Sequence, residues 1–438
     1  MALVTIGGST AINFDKLTLA NLLGGTITVA DAGRIGIDYA SGAHDDLIGS
    51  FTYDANGALS GGTLNGITEV NGQAPVFSIS GLATPIPTFL TWVTTGDNQA
   101  AKVAIFSGPD SVSGGSGDDT IRTYAGDDSV AAGGGTDRID GGAGNDAIDG
   151  GDGNDTALYS GAARNYGWVN TGGTNWTVTD YRVGAPDGTD TLKNVESLQF
   201  TDQTVNLSTT DTDQILRTAF DHILRYAPVS AADLAFVSGL TSQVTAGTLT
   251  KAAAIGQIVQ KADASTAVAN IAYEFFTGLT PTGEGLDYLV SPSGGNTNNL
   301  NSAYYLNFNL ENRYINFAVN LGKLGEGASR FTAQYGSLSL FDATKQAYAT
   351  IFGATPTDAK VHALIDTRAD YFAAYGLDGP NGIGTKAAMV GWLLAEAVKA
   401  DVGTYATSNN AFFTDLADGA AYHVDMVGVY PGVPLAAG

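Results

Sequence analysis

The sequence predicts a multidomain α+β chain. In order it has a small β-rich N-terminal cap over residues 1–104, a right-handed parallel β-roll over 105–160, a β capping segment over 161–208 and an all-α helical domain over 209–438. Three observations predict it. From Ile105 to Leu158 the chain falls into nine-residue units without an insertion, and regular repetition at a fixed period is the mark of a stacked architecture. The flanks of that region carry short alternating apolar runs punctuated by turn residues, the pattern of half-buried strands. Near Thr209 the glycine-rich turns give way to apolar residues at helical spacing.

In the first segment, Thr26-Ile27-Thr28-Val29 and Ser50-Phe51-Thr52-Tyr53 are strand-like, and Asp54-Ala55-Asn56-Gly57 reads as hairpin punctuation. His44-Asp45-Asp46 has metal-ligating residue types, but the simpler expectation is an exposed turn ahead of a strand over 47–53.

The roll units read IFSGPDSVS, GGSGDDTIR, TYAGDDSVA, AGGGTDRID, GGAGNDAID and GGDGNDTAL. The sixth position is always aspartate: Asp110, Asp119, Asp128, Asp137, Asp146 and Asp155. The fourth is always glycine, from Gly108 through Gly117, Gly126, Gly135 and Gly144 to Gly153, and the eighth is aliphatic throughout. Each unit is therefore a turn in which glycine tolerates positive φ, followed by a minimal strand with one inward side chain. Two units make one coil, so residues eighteen apart stack about 4.8 Å apart along the axis. Asp110, Asp128 and Asp146 form one ladder; Asp119, Asp137 and Asp155 form the other. Carboxylates about 5 Å apart repel by roughly 1 kcal/mol in water and by several times more at reduced dielectric, and a divalent cation reverses that sign. Carboxylate and carbonyl oxygens without nitrogen or sulfur suit a hard, flexibly coordinated ion, calcium rather than zinc. Several calcium ions are expected, with folding linked to their binding. Thr123-Tyr124 departs from the Gly pair, and Pro109 marks the first unit as the opening of the roll.

Beyond the roll, Tyr166-Gly167-Trp168-Val169 and Trp176-Thr177-Val178 are strand-like, and Leu192, Val195, Leu198 and Phe200 supply apolar groups to close the open end. The helical domain opens with Ile215, Phe220, Ile223 and Leu224 on one face. Further helices are expected over 252–261, 267–276, 300–321, 343–352, 358–375 and 386–400, with Gly278, Gly353 and Gly376 as C-terminal caps.

The nonapeptide resembles the calcium-binding repeat of RTX proteins, which are exported by type I secretion. That resemblance implies an extracellular protein, empty of calcium inside the cell and folded outside, with an uncleaved C-terminal export signal. Residues 265–352 resemble a second family, the N-terminal domain of the Caulobacter-type S-layer protein. The likeness rests on Tyr273, Phe275-Phe276-Thr277-Gly278, Gly285-Leu286-Asp287, Asn299-Leu300-Asn301, Ala303-Tyr304-Tyr305 and Glu311-Asn312-Arg313-Tyr314-Ile315-Asn316-Phe317. Asp415-Leu416-Ala417-Asp418-Gly419-Ala420 continues it. In that family the domain looks like the anchor for the O-polysaccharide of lipopolysaccharide; the long Thr/Ala-rich lattice region that follows it there is missing from this chain. Sugars are held by amide and hydroxyl hydrogen bonds with aromatic faces against the rings, which makes Tyr304, Tyr305, Asn307, Asn309, Asn312 and Arg313 the candidate contacts. On a helix, however, about half of the aromatics in this stretch must face the core.

Composition narrows the alternatives. A net charge of −24 repels phosphate backbones, so nucleic acid is not an expected partner. With no cysteine, neither disulfides nor thiolate metal sites are possible. The first residues lack a secretory signal pattern, and no run of eighteen apolar residues occurs. There is no His-Glu-x-x-His helix and no G-x-S-x-G elbow, so no enzyme is expected. The leading expectation is a secreted cell-surface protein of a Gram-negative bacterium, calcium-dependent and S-layer-like or S-layer-associated, that attaches to lipopolysaccharide O-antigen through its helical domain. The alternatives are a calcium-dependent self-assembling matrix, filament or adhesin protein, which binds itself or an S-layer protein, and a secreted hydrolase with its site in residues 1–104.

Overall fold

A computed structural model describes residues 1–8, 11–72, 74–207 and 212–415. Leu416 to Ala420, the closing residues expected to hold an export signal, and His423 lie outside them. The chain divides into two compact units, 1–162 with 168–180 and 184–209, and 163–167 with 181–183 and 210–438.

In the first unit a parallel roll is built as expected from three-residue strands. Ser111–Ser113, Ser129–Ala131 and Ala147–Asp149 pair in parallel on one face, and Thr120–Arg122, Arg138–Asp140 and Thr156–Leu158 on the other. The eighth-position side chains Val112, Ile121, Val130, Ile139, Ile148 and Ala157 all lie between the faces with at most 4% exposure. The cap is less separate from the roll than the sequence suggests. Leu3–Ile6 pairs in parallel with Ser111–Ser113 and antiparallel with Ala74–Pro85, so the first strand joins the roll to an antiparallel meander of Arg34–Asp38, Ala43–Tyr53, Leu59–Asn71 and Ala74–Pro85. Two helices, Ile86–Thr95 and Asn98–Ile105, complete a region expected to be β-rich and for which no helix was expected. Their signals are a Pro in the first turn and Asp97, whose side chain accepts the Ala100 N–H.

His44, Asp45 and Asp46 do not form a turn. They lie inside the strand Ala43–Tyr53, paired with Asp38, Ile37 and Gly36. Asp46 bonds Arg34, His44 bonds Asp38 and Asp46, and Asp45 turns inward to accept the Tyr39 hydroxyl at 2.6 Å. Local pairing of opposite charges across the strands outweighs the polarity that suggested a loop.

The second unit is helical. Its centre is Ile383–Ala400, buried nearly all round, against which Leu310–Val319 packs so closely that a Cβ at Gly391 would lie 2.6 Å from the Tyr314 carbonyl. The expected helix over 300–321 is divided into Ala303–Leu306, Leu310–Val319 and a π-helical turn, Asn320–Leu324. Asn309 causes the break by leaving helical geometry and accepting the Asn312 N–H with its own side chain. The expected helix over 358–375 is two helices, Asp358–Ile365 and Ala369–Gly376. Gly278 and Gly353 cap in the left-handed region as expected. Gly376 does not: it ends its helix where a Cβ would lie 2.2 Å from the Thr385 nitrogen, and Leu377 takes the left-handed position.

Candidate metal centre and carbohydrate surface

The repeat dictates the geometry of the roll's turns. The N–H of each ladder aspartate donates to the Oδ1 of the aspartate one coil on: Asp110 to Asp128 and Asp119 to Asp137 at 2.7 Å, Asp128 to Asp146 and Asp137 to Asp155 at 2.9 Å. All six side chains are buried. At the N-terminal end two backbone groups stand in for a preceding coil, Ala2 N–H on Asp110 and Ile12 N–H on Asp119. At the other end the chain returns after residue 158, and Asp190 Oδ1 and Glu196 Oε2 accept from Asp146 and Asp155.

The second carboxylate oxygen of Asp110, Asp128, Asp137, Asp146 and Asp155 is buried without a hydrogen-bond partner. Such an oxygen is costly unless something cationic meets it. Among the described residues the roll's basic side chains pair elsewhere, Arg122 with Asp140 and Lys193 with Asp149. Burial pushes the Asp128, Asp137 and Asp146 carboxyls up to about 6, with neighbouring ladder carboxylates adding to the shift, and Asp190 up to about 8. The fourth-position glycines bring carbonyl oxygens to the same turns. Gly126, Gly135, Gly144 and Gly153 have φ between 124° and 151°, and a Cβ on Gly153 would fall 1.6 Å from the Gly135 oxygen. The Gly117 carbonyl lies against Gly135 in the same way. Among the described residues no three His, Asp or Glu side chains converge on one point, so an ion here draws on carboxylates of stacked turns together with turn carbonyls. Orphaned carboxylate oxygens and stacked carbonyls fit calcium. Sequence reading missed Asp190 and Glu196, because 26 residues lie between Leu158 and the Ala185 that begins the next turn, and they break the period.

In the helical unit the six candidate sugar contacts are not brought together. Tyr304, 53% exposed, and buried Tyr305 line an open pocket of roughly 720 Å³ with Tyr273, Tyr288, Asn296, Asn298, Asn320 and Glu326. The Tyr273 hydroxyl donates to Glu326 at 2.7 Å, and the pocket takes Asn320 and Leu321 from the π-helical turn, a distortion frequent at functional sites. Asn307 is exposed outside this lining and donates to the Ala303 carbonyl. Asn309 is a helix cap, and Asn312 accepts the Tyr371 hydroxyl. Arg313 points into the core, only 7% exposed, and donates to the carbonyls of Phe308, Ala264 and Leu300. Helical spacing alone does not reveal which of these groups turns inward.

In the first unit a second pocket, roughly 650 Å³, holds Asp45 and Glu69, which face each other across two strands; burial raises both carboxyls.

Comparison with known proteins adds three findings. No curated protein matches the chain. Among solved structures, the extracellular lipase LipA from Serratia marcescens is similar at 24% identity over 21% of this chain and 12% of its own, with a TM-score of 0.12, too low to carry any argument. Two family models match: the RTX calcium-binding nonapeptide repeat in four copies, over residues 106–139 and 124–157, and the RsaA N-terminal domain, over residues 265–436, which contains the Tyr273 to Phe317 motifs. The chain thus joins a segment matching RTX calcium-binding repeats to a segment matching the RsaA N-terminal domain, a pairing that supports a calcium-binding, S-layer-like protein.

Proposed function

We propose that this is a secreted, non-enzymatic protein of the outer cell surface, folded by calcium, that attaches to lipopolysaccharide O-antigen through its C-terminal helical unit. The observation that carries the reading is the pocket of tyrosines and amides inside the segment matching the RsaA N-terminal domain. An exposed aromatic face at Tyr304, with Tyr273, Asn298, Asn320 and Glu326 around it, supplies the stacking surface and the hydrogen-bond donors and acceptors that a pyranose requires. The calcium-binding repeats support an extracellular place of action, where calcium suffices to fill sites of modest affinity. Among the described residues no helix is long and apolar enough to cross a membrane, which agrees with attachment by binding.

Co-sedimentation with lipopolysaccharide vesicles tests the reading, using smooth and O-antigen-less forms, each with about 1 mM calcium or chelator. Pelleting with smooth vesicles alone is expected, and it should weaken about tenfold in Tyr304→Ala, about the 1.4 kcal/mol that one stacking contact can carry. Folded protein that pellets with neither form would overturn attachment. One observation favours the self-assembly alternative: the edge strand Thr26–Ala30 ends the large sheet with Ile27 63% exposed. Calcium-dependent polymerisation without lipopolysaccharide would move the assignment there.

A further inference from the structure

The family match to the repeats ends at residue 157, yet the roll's turn geometry recurs once more, 27 residues beyond its last strand. Residues Ala185-Pro186-Asp187-Gly188-Thr189-Asp190-Thr191-Leu192-Lys193 take every place of a nonapeptide: glycine fourth, aspartate sixth, aliphatic eighth. The structure stacks them accordingly. Thr191, Leu192 and Lys193 pair in parallel with Ala147, Ile148 and Asp149, and Leu192 is buried with the other eighth-position side chains. Gly188 has φ +66°, and a Cβ there would fall 2.2 Å from the Gly144 oxygen, the same close stacking that Gly144 makes on Gly126. Thr189 N–H donates to Asn145 Oδ1 at 2.9 Å, as Asn145 N–H does to Asp127. Asp190 is 3% exposed and accepts the Asp146 N–H at 2.8 Å.

Between these two turns Asp146 keeps one carboxylate oxygen buried and without a partner, although the chain past residue 158 was free to bring any residue there. The two ends of the roll need opposite groups: the N-terminal end presents carboxylate oxygens, met by the Ala2 and Ile12 N–H groups, whereas the other end presents the Asp146 N–H, which a neutral oxygen acceptor would satisfy. At this end closure instead places a fourth buried carboxylate on the ladder of Asp110, Asp128 and Asp146, which plain capping does not need and a cation does. We propose that the turn 185–190 is a displaced seventh repeat and that Asp190, with Asp146 and the stacked turn carbonyls, holds a further calcium ion outside the recognised repeats.

This inference rests on the calcium reading of the roll, and one set of measurements separates the two. Calcium bound per full-length chain would be counted by equilibrium dialysis for the parent, Asp128→Asn and Asp190→Asn, with folding followed by circular dichroism. Asparagine still accepts the Asp146 N–H through its amide oxygen, so a purely capping role predicts no change. The expected result is one ion fewer in Asp190→Asn, as in Asp128→Asn. Loss in Asp128→Asn with a full complement in folded Asp190→Asn would sink this inference alone; a full complement in both would sink the calcium reading with it. Should Asp190→Asn not fold, crystals of the parent grown in calcium decide: an anomalous peak about 2.3–2.6 Å from the Asp190 carboxylate is expected, and a map without one overturns the proposal.

Discussion

The two units bury charge in opposite ways. In the roll the buried groups are carboxylates, each with one oxygen on a backbone N–H and, for five of the six repeat aspartates, the other on nothing. In the helical unit buried cations stand beside buried carboxylates such as Asp221, which lies 3.7 Å from Arg164, and the protein itself completes the cations. Arg225, with no exposed surface, donates to Asp287 and Asn165 at 2.8 Å; Lys386 donates to the carbonyls of Tyr335 and Gly336 at 3.0 Å; Arg313 reaches three carbonyls. The difference teaches where each fold gets its last favourable term. The helical unit carries its counter-groups in its own sequence, whereas the roll leaves a negative site for an ion from outside, so its stability becomes a property of the medium.

Calcium removal should produce the largest effect. Each site contributes about 2.7 kcal/mol when calcium stands at 100 times its dissociation constant, and several sites together exceed the marginal stability of a small solenoid. With chelator, limited proteolysis is expected to cut throughout 105–199 while 212–400 stays protected, and readdition of calcium should restore the roll. Equal protection of both units without calcium would erase the contrast.

The converse is a lesion confined to the helical unit. Arg225→Ala leaves Asp287 facing Arg164 alone and strips its own hydrogen-bond partners, which should cost about 3–5 kcal/mol, the range for breaking a buried pair. Urea unfolding followed by helical ellipticity would measure it, and the loss should be the same with calcium or chelator. A loss that calcium rescues would mean that the two stabilities are linked.

How much of this was legible in the sequence also differs between the units, for a physical reason. In the roll a few fixed positions per turn set the fold, so the spacing of Asp119, Gly126 and Val130 already states register, stacking and ion chemistry. Asp190 escaped because its turn is displaced by the excursion after Leu158, a distance that only tertiary pairing closes. In the helical unit periodicity locates helices but not which face turns inward: Arg313 and Tyr304 are nine residues apart and both read as polar-aromatic contacts, yet one is a core cation and the other an exposed ring. The break at Asn309 depends on local capping that competes with an otherwise continuous helical pattern, and the one before Ala369 on Arg368 leaving helical geometry without a side-chain cap.

A smaller effect distinguishes glycines within the roll. Gly153→Ala forces a side chain onto φ +151° and against the Gly135 oxygen, which should cost at least about 1–3 kcal/mol and raise the calcium concentration needed for folding. Gly108→Ala, at the same repeat position but with open space around it, should change the calcium midpoint little. Equal shifts in both would mean that turn stacking is not what places the ions.

The last effect is one of pH. Asp128, Asp137 and Asp146 have folded values near 6, above the value of about 4 for an aspartate in an unfolded chain, so the folded roll binds protons more tightly than the unfolded chain does. Their contribution is fully present below about pH 4 and is lost as pH rises through 6. With chelator, acidification from pH 7 to 5 should therefore shift the roll toward its folded state. In calcium the gain should vanish, because an ion bound between the carboxylates favours their charged form and removes the reason for protonation. The helical unit carries the same sign of dependence through buried Glu274, pushed up to about 7, and Asp263, pushed up to about 6, and calcium should leave that part untouched. Thermal scans of the full chain at pH 5 and 7, with and without calcium, would show the roll's acid gain cancelled by the ion and the helical unit's gain retained. If calcium left both gains in place, the buried oxygens of the ladder would not be where it binds.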